Sequence, residues 1–125
     1  MRFPKPPKEA VIFRDAKLTV CLASFPVAKG HTIVFWNAPA RDLHRLSRRD
    51  YERLMGAVED ARDALMSALK VKKVYLLYMD EANHVHWHLI PRYGVKGFTA
   101  LSHRPTRLRD FSLAASIRKR LRSRH

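Results

Sequence analysis

Apolar and polar positions alternate with a period of two through the first third of the chain, then switch to a helical period. Ala10–Arg14 is a short apolar run closed by Asp15, and Lys17–Ala23 follows with Leu18, Val20 and Leu22 alternating with Thr19 and Cys21. Both read as strands, because a strand points successive side chains to opposite faces. Phe25-Pro26 and Lys29-Gly30 punctuate a connection. His31–Trp36, β-branched and aromatic, reads as a third strand, ended by Asn37-Ala38-Pro39. Tyr51, Leu54, Met55, Val58, Ala61, Leu65 and Leu69 then fall on one stripe of a 3.6-residue period and predict a long amphipathic helix. Ser47 is its candidate N-cap with Asp50 three residues on. Lys70, Lys72 and Lys73 suit the negative end of its dipole. The stripe reads as core rather than as a cofactor box.

Beyond the helix, Val74–Met79 is nearly all apolar, as for a strand buried on both faces. Asp80–Asn83 is a short turn into His84–Ile90, so the two runs predict an antiparallel hairpin. Gly94 and Gly97 open a C-terminal segment in which 102–105 is loop and Leu113, Ile117 and Leu121 repeat every four residues, giving a short basic helix. Met1–Lys8 holds three prolines and reads as an extended, flexible arm. Strands, one long helix, then more strands make an α+β domain.

Composition narrows the class. A chain of 125 residues with 46% apolar content suits one domain with one core. No run of about 18 apolar residues is present, so no membrane span is expected, and the N-terminus has no apolar secretory segment. The single cysteine, Cys21, excludes an internal disulfide, reads as a small buried hydrophobe and suits a reducing cytoplasm. The net charge is +14, and residues 94–125 carry nine Lys and Arg against Asp110 alone. Such a field favours anionic partners, whether a polyphosphate nucleotide or a nucleic acid.

The candidate chemistry lies in His84-Val85-His86-Trp87-His88-Leu89-Ile90. On a strand all three imidazoles share one face. A metal site is one reading, but at roughly 3.3 Å per residue His84 and His88 stand about 13 Å apart at the backbone. Zinc needs its nitrogens at roughly 2.0–2.1 Å, so three ligands on one regular strand do not converge. No Cys-x-x-Cys or His-Glu-x-x-His accompanies them. A hydrated strand face is the plain reading. The remaining one is a nucleophile flanked by donors that face an anion.

This run resembles the alternating His-apolar signature of the histidine triad (HIT) superfamily, with Ile90-Pro91-Arg92 extending the match. Phe25-Pro26-Val27-Ala28-Lys29-Gly30-His31-Thr32-Ile33-Val34 resembles that family's second block. The resemblance covers roughly residues 10–93. It implies an antiparallel sheet of about five strands with one long helix and a short C-terminal helix, flanked by the arm 1–9 and the basic extension 94–125. It also implies a homodimer through the long helices and edge strands. Its chemistry is nucleotide hydrolysis or nucleotidyl transfer: His86 attacks the α-phosphorus and forms a nucleotidyl-histidine, His84 orients it, and His88 contacts phosphate oxygens. His31 lies near the substrate phosphates, Val11–Phe13 and Val20–Leu22 bound the base pocket, and water releases a nucleoside monophosphate. No cofactor or metal is implied beyond Mg²⁺ as a substrate counter-ion.

The chain departs from the pattern in places. Ala23, with Ser24 beside it, stands where many members carry a ribose-binding Asp or Asn. The turn before the triad is Asp80-Glu81-Ala82-Asn83, in which Asn83 is the candidate phosphate donor. Pro39 replaces a further histidine of the phosphoramidase branch. Trp36–His44 instead resembles the fragile-histidine branch, which cleaves diadenosine polyphosphates, so a dinucleoside polyphosphate is the favoured substrate. The alternatives are a nucleotide-binding or sensing protein with little turnover, and a transferase or phosphorylase using the same intermediate. Arg118, Lys119, Arg120 and Arg122 are the candidate nucleic-acid contacts.

Overall fold

The period-two runs become one antiparallel sheet, and the 3.6-period stripe becomes the helix that covers it. The computed structural model describes residues 5–79, 82–94 and 105–121. Its strands are β1 (Val11–Arg14), β2 (Leu18–Leu22), β3 (Thr32–Trp36), β4 (Lys73–Tyr78) and β5 (His86–Arg92), in spatial order β1-β2-β3-β5-β4. Helix α1 (Arg48–Leu69) joins β3 to β4, and α2 (Leu113–Arg120) closes the described chain. This is the expected α+β architecture. Expectations that fall on Met1–Pro4, Asp80, Glu81, Gly97, Ser102–Arg104 and Arg122 lie outside the described residues.

One face of the sheet makes the core. Leu18, Val20 and Leu22 of β2, Val34 and Trp36 of β3, and Val85 and Leu89 pack with Leu54, Val58, Ala61 and Leu65 of α1. The helix starts where Ser47 Oγ accepts the Asp50 N–H at 3.1 Å, satisfying one of its orphan donors. It stops at Lys70, which takes the left-handed conformation at φ 55°. Among the described residues no helix is long and apolar enough to cross a membrane.

Two connections matter for the site. Gly30 adopts φ +86°, and a Cβ there would stand 2.6 Å from Leu69 Cδ1. Only glycine lets this loop turn while pressed on the end of α1, and the turn sets the start of β3. Helix α2 is not a solvated appendage: Ala114 and Ile117 are buried in the core cluster. Arg118 donates from Nε to the Ile12 carbonyl at 2.8 Å and from Nη2 to the Val11 carbonyl at 2.5 Å. Those bonds cover β1, one edge of the sheet.

β4 differs from expectation. Its apolar run predicts burial on both faces, yet no residue in it is fully buried, and Leu76 is 39% exposed. The cause is topological. β4 is the last strand in the sheet order, so it has a strand neighbour on one side only.

Candidate active site

Register brings the histidines onto the face opposite the core. His86 pairs with Phe35 and His88 with Ile33 across β5 and β3, and Ile33 pairs with Cys21 across β3 and β2. With Leu89 committed to the core, strand alternation turns His86 and His88 the other way. There they line a cavity of about 530 Å³ together with His31, Cys21, Ile33 and Phe35. That volume lies within the range of small-molecule sites.

The imidazoles are linked in a fixed sense. The Val27 N–H points at His31 Nδ1 at 3.1 Å. A backbone N–H can only donate, so His31 Nδ1 carries a lone pair, the ring is neutral and its proton is on Nε2. His31 Nε2 then donates to His88 Nδ1 at 2.9 Å. His88 is left with its proton on Nε2, as a donor. His86 Nδ1 lies 2.7 Å from the His84 carbonyl. A carbonyl can only accept, so the neutral His86 ring has its lone pair on Nε2. One ring thereby presents a lone pair and the next an N–H, their centroids 5.0 Å apart.

Electrostatics agree. Burial first, then the neighbouring His88, lowers the pKa of His31 to about 4. Burial first, then His86, lowers that of His88 to about 4. Both rings are neutral at pH 7, as the bonding requires. Burial pushes the Cys21 thiol up to about 12, so it acts as apolar wall, not as a second nucleophile.

The expected site residues divide. His31, His86, His88 and Ser24 line the cavity, and so does Ala23. His84 does not line it. Its ring Nε2 donates to the Trp36 carbonyl at 2.5 Å, and its contribution to His86 is the backbone carbonyl. His84 therefore fixes the His86 ring through its main chain, a geometry that side-chain alternation cannot reveal. Asn83 is exposed at φ 53°, away from the described cavity lining. The expected base pocket is also shifted. Of the stretches Val11–Phe13 and Val20–Leu22, Cys21 and Leu22 do line the cavity, joined by Ile33 and Phe35, whereas Ile12 and Val20 belong to the core cluster. Counting every second residue from His31 would have found Ile33 and Phe35. Lys5 and Arg107 also reach the lining, from segments whose sequence carries no signal of it.

The C-terminal basic residues are partly engaged. Arg118 holds the β1 carbonyls and Arg120 Nη1 bonds Ser116, while Lys119 is exposed. Among the described residues no group of three or more His, Cys, Asp or Glu side chains is placed to hold a metal ion.

Solved structures share this fold. A Hit-like protein involved in cell-cycle regulation from Bartonella henselae superposes with a TM-score of 0.75 at 22% identity, covering 90% of this chain and 86% of that one. A hypothetical histidine triad nucleotide-binding protein from Sulfolobus tokodaii gives 0.72 at 21% identity, covering 89% and 82%. A histidine triad protein from Marinobacter aquaeolei gives 0.75 at 16% identity, covering 89% and 87%. At these identities the likenesses establish the fold. No curated protein matches the chain. The HIT domain family model matches residues 5–95, which include the sheet, α1 and every imidazole of the cavity, and the chain therefore belongs to the HIT domain family.

Proposed function

We propose that this protein is a nucleotide hydrolase that works through a covalent nucleotidyl-histidine on His86. HIT domain proteins include nucleotide hydrolases and transferases as well as members without catalysis. What favours the enzyme is the bond from His86 Nδ1 to the His84 carbonyl, which leaves the lone pair of a cavity-lining ring on Nε2. In the first step that pair forms an N–P bond to the α-phosphorus. The bond from phosphorus to the leaving group breaks, and its electron pair departs with the leaving group, which takes up a proton. His88, with its proton on Nε2, donates to a phosphoryl oxygen as charge builds there. In the second step water attacks phosphorus and gives up a proton to solvent, balancing the one the leaving group took from solvent; the N–P bond breaks and the imidazole recovers its pair. A nucleoside monophosphate is released. Splitting one displacement in two is the advantage of a covalent route.

The favoured substrate is a dinucleoside polyphosphate, which the likeness of Trp36–His44 to the fragile-histidine branch supports. The route asks for no bound metal, and Mg²⁺ accompanies the polyphosphate as its counter-ion. The site works in the cytoplasm, in a homodimer built by pairing of β4 edges; the exposed Leu76 on that edge supports the pairing. The test is to incubate the protein with diadenosine polyphosphate or adenosine phosphoramidate labelled at the α-phosphorus. Wild type should give a labelled protein that is stable in base and labile in acid, and should release AMP; His86→Ala should do neither. Equal AMP release by both proteins would remove His86 from the mechanism. Tight binding by wild type without AMP would make the protein a nucleotide sensor instead.

A further inference from the structure

The cavity has two kinds of wall. At the bottom are His31, His86 and His88, of which His31 and His86 are 5% and 8% exposed. At the rim are Lys5 and Arg107, both exposed. No Asp or Glu stands among the described lining residues. Within the described residues neither Lys5 nor Arg107 has a carboxylate partner. The main chain beside Arg107 is anchored. The N–H of Leu108 donates to the Ser24 carbonyl at 2.7 Å, and Leu108 packs against the core. Ser24 is itself part of the cavity lining. Arg107 thus comes from a segment outside the family match at 5–95, fixed at the mouth of the family's cavity.

Resting on the hydrolase reading above, we infer that Arg107, aided by Lys5, is a specificity-determining residue that binds a second phosphate group of the substrate. The phosphoryl group under attack must sit at the buried His86, where neutral rings receive it. An exposed guanidinium at the rim serves a phosphate further along the same molecule. Arginine suits this task because its planar fork meets phosphate oxygens in pairs. The second phosphate has two possible sources: the leaving-group chain, or a phosphate on the ribose.

Calorimetric titration of the full chain, at one low ionic strength, separates them. Three probes are used: AMP, α,β-methylene-ADP and adenosine 3′,5′-bisphosphate. Arg107→Ala should leave AMP affinity unchanged within twofold and weaken one of the two bisphosphates about 10-fold or more. Loss on the methylene analogue places the second phosphate on the leaving group; loss on the 3′,5′-bisphosphate places it on the ribose. Lys5→Ala should act in the same direction to a smaller extent. Equal weakening of all three probes, or of none, overturns the inference while leaving the hydrolase reading standing. A wild-type protein that binds none of the three overturns the hydrolase reading as well. Unchanged melting of Arg107→Ala, whose side chain is exposed, confirms that the comparison is between folded proteins.

Discussion

His31 Nε2 and His88 Nδ1 stand 2.9 Å apart across 57 positions of sequence. The bond has a direction only because the Val27 N–H occupies the other nitrogen of His31. In the proposed mechanism His31 is a positioning residue: it sets which nitrogen of His88 carries the proton offered to the phosphate. Without it, His88 can place its proton on Nδ1 and present a lone pair to an anion. His31→Ala should lower kcat/KM for AMP release by between about 10-fold and 10⁴-fold, the upper bound being the loss seen when a catalytic imidazole is left in the wrong tautomer. The labelled His86 intermediate should still form, more slowly. Steady-state and single-turnover rates check this; wild-type rates in both would remove His31 from the site.

The same pair makes stability depend on pH. Burial lowers the pKa of His31 and His88 to about 4 in the fold, against roughly 6.5 in the unfolded chain. Between these values the unfolded chain binds more protons than the folded one, so stability rises with pH. The contribution is fully present above about pH 6.5 and is lost as pH falls from there towards 4. Each group adds a slope of at most about 1.4 kcal/mol per pH unit. Urea unfolding at pH 7, 6, 5 and 4 should show the decline, and His31→Asn should flatten it. A flat profile in wild type would mean that the rings are more hydrated than this geometry allows.

Local pattern carried the elements and much of the site. The alternation through Leu18–Leu22 and the stripe from Leu54 to Leu69 each state which side faces the core, and the fold obeys both. The triad likewise shows in a single run of sequence. What local pattern cannot carry is pairing between distant segments. That Ile33 and Phe35 form the cavity wall depends on the register of β3 with β5. That His84 acts through its carbonyl depends on where β5 begins, at His86. The apolar run Val74–Tyr78 looks like a central strand until the sheet order puts it at an edge. That Arg118 bonds the Ile12 and Val11 carbonyls depends on where α2 docks, which its charge alone does not show.

The docking of α2 makes the C-terminal segment part of the fold. Ile117 is fully buried in the core cluster. Ile117→Ala should cost about 2–5 kcal/mol, the range for truncating a buried large aliphatic side chain, read as a lower midpoint in urea. Lys119→Ala, on the exposed side, should stay within about 0.5 kcal/mol of wild type. Deleting 112–125 would remove Ala114 and Ile117 with the basic residues, so nucleic-acid binding is better probed by Lys119→Glu with Arg120→Glu. Equal stability of Ile117→Ala and wild type would show α2 undocked.

β4 ends the sheet with Leu76 39% exposed and Met79, just beyond it, 44% exposed. An apolar strand at the end of the sheet, with a strand neighbour on one side only, invites another strand. A second copy meets the need with two-fold symmetry, because an antiparallel β4–β4 pair is self-complementary. The proposed homodimer predicts a mass in sedimentation equilibrium of twice the 14.6 kDa of one chain. Leu76→Lys should shift the population to single chains, since a charge on each copy would face its symmetry mate near the axis and repel it. The mutant should keep the far-ultraviolet spectrum of wild type, because Leu76 is not part of the core. If wild type sediments as a single chain at tens of micromolar, the edge is left to another partner; if Leu76→Lys remains a dimer, the copies meet elsewhere.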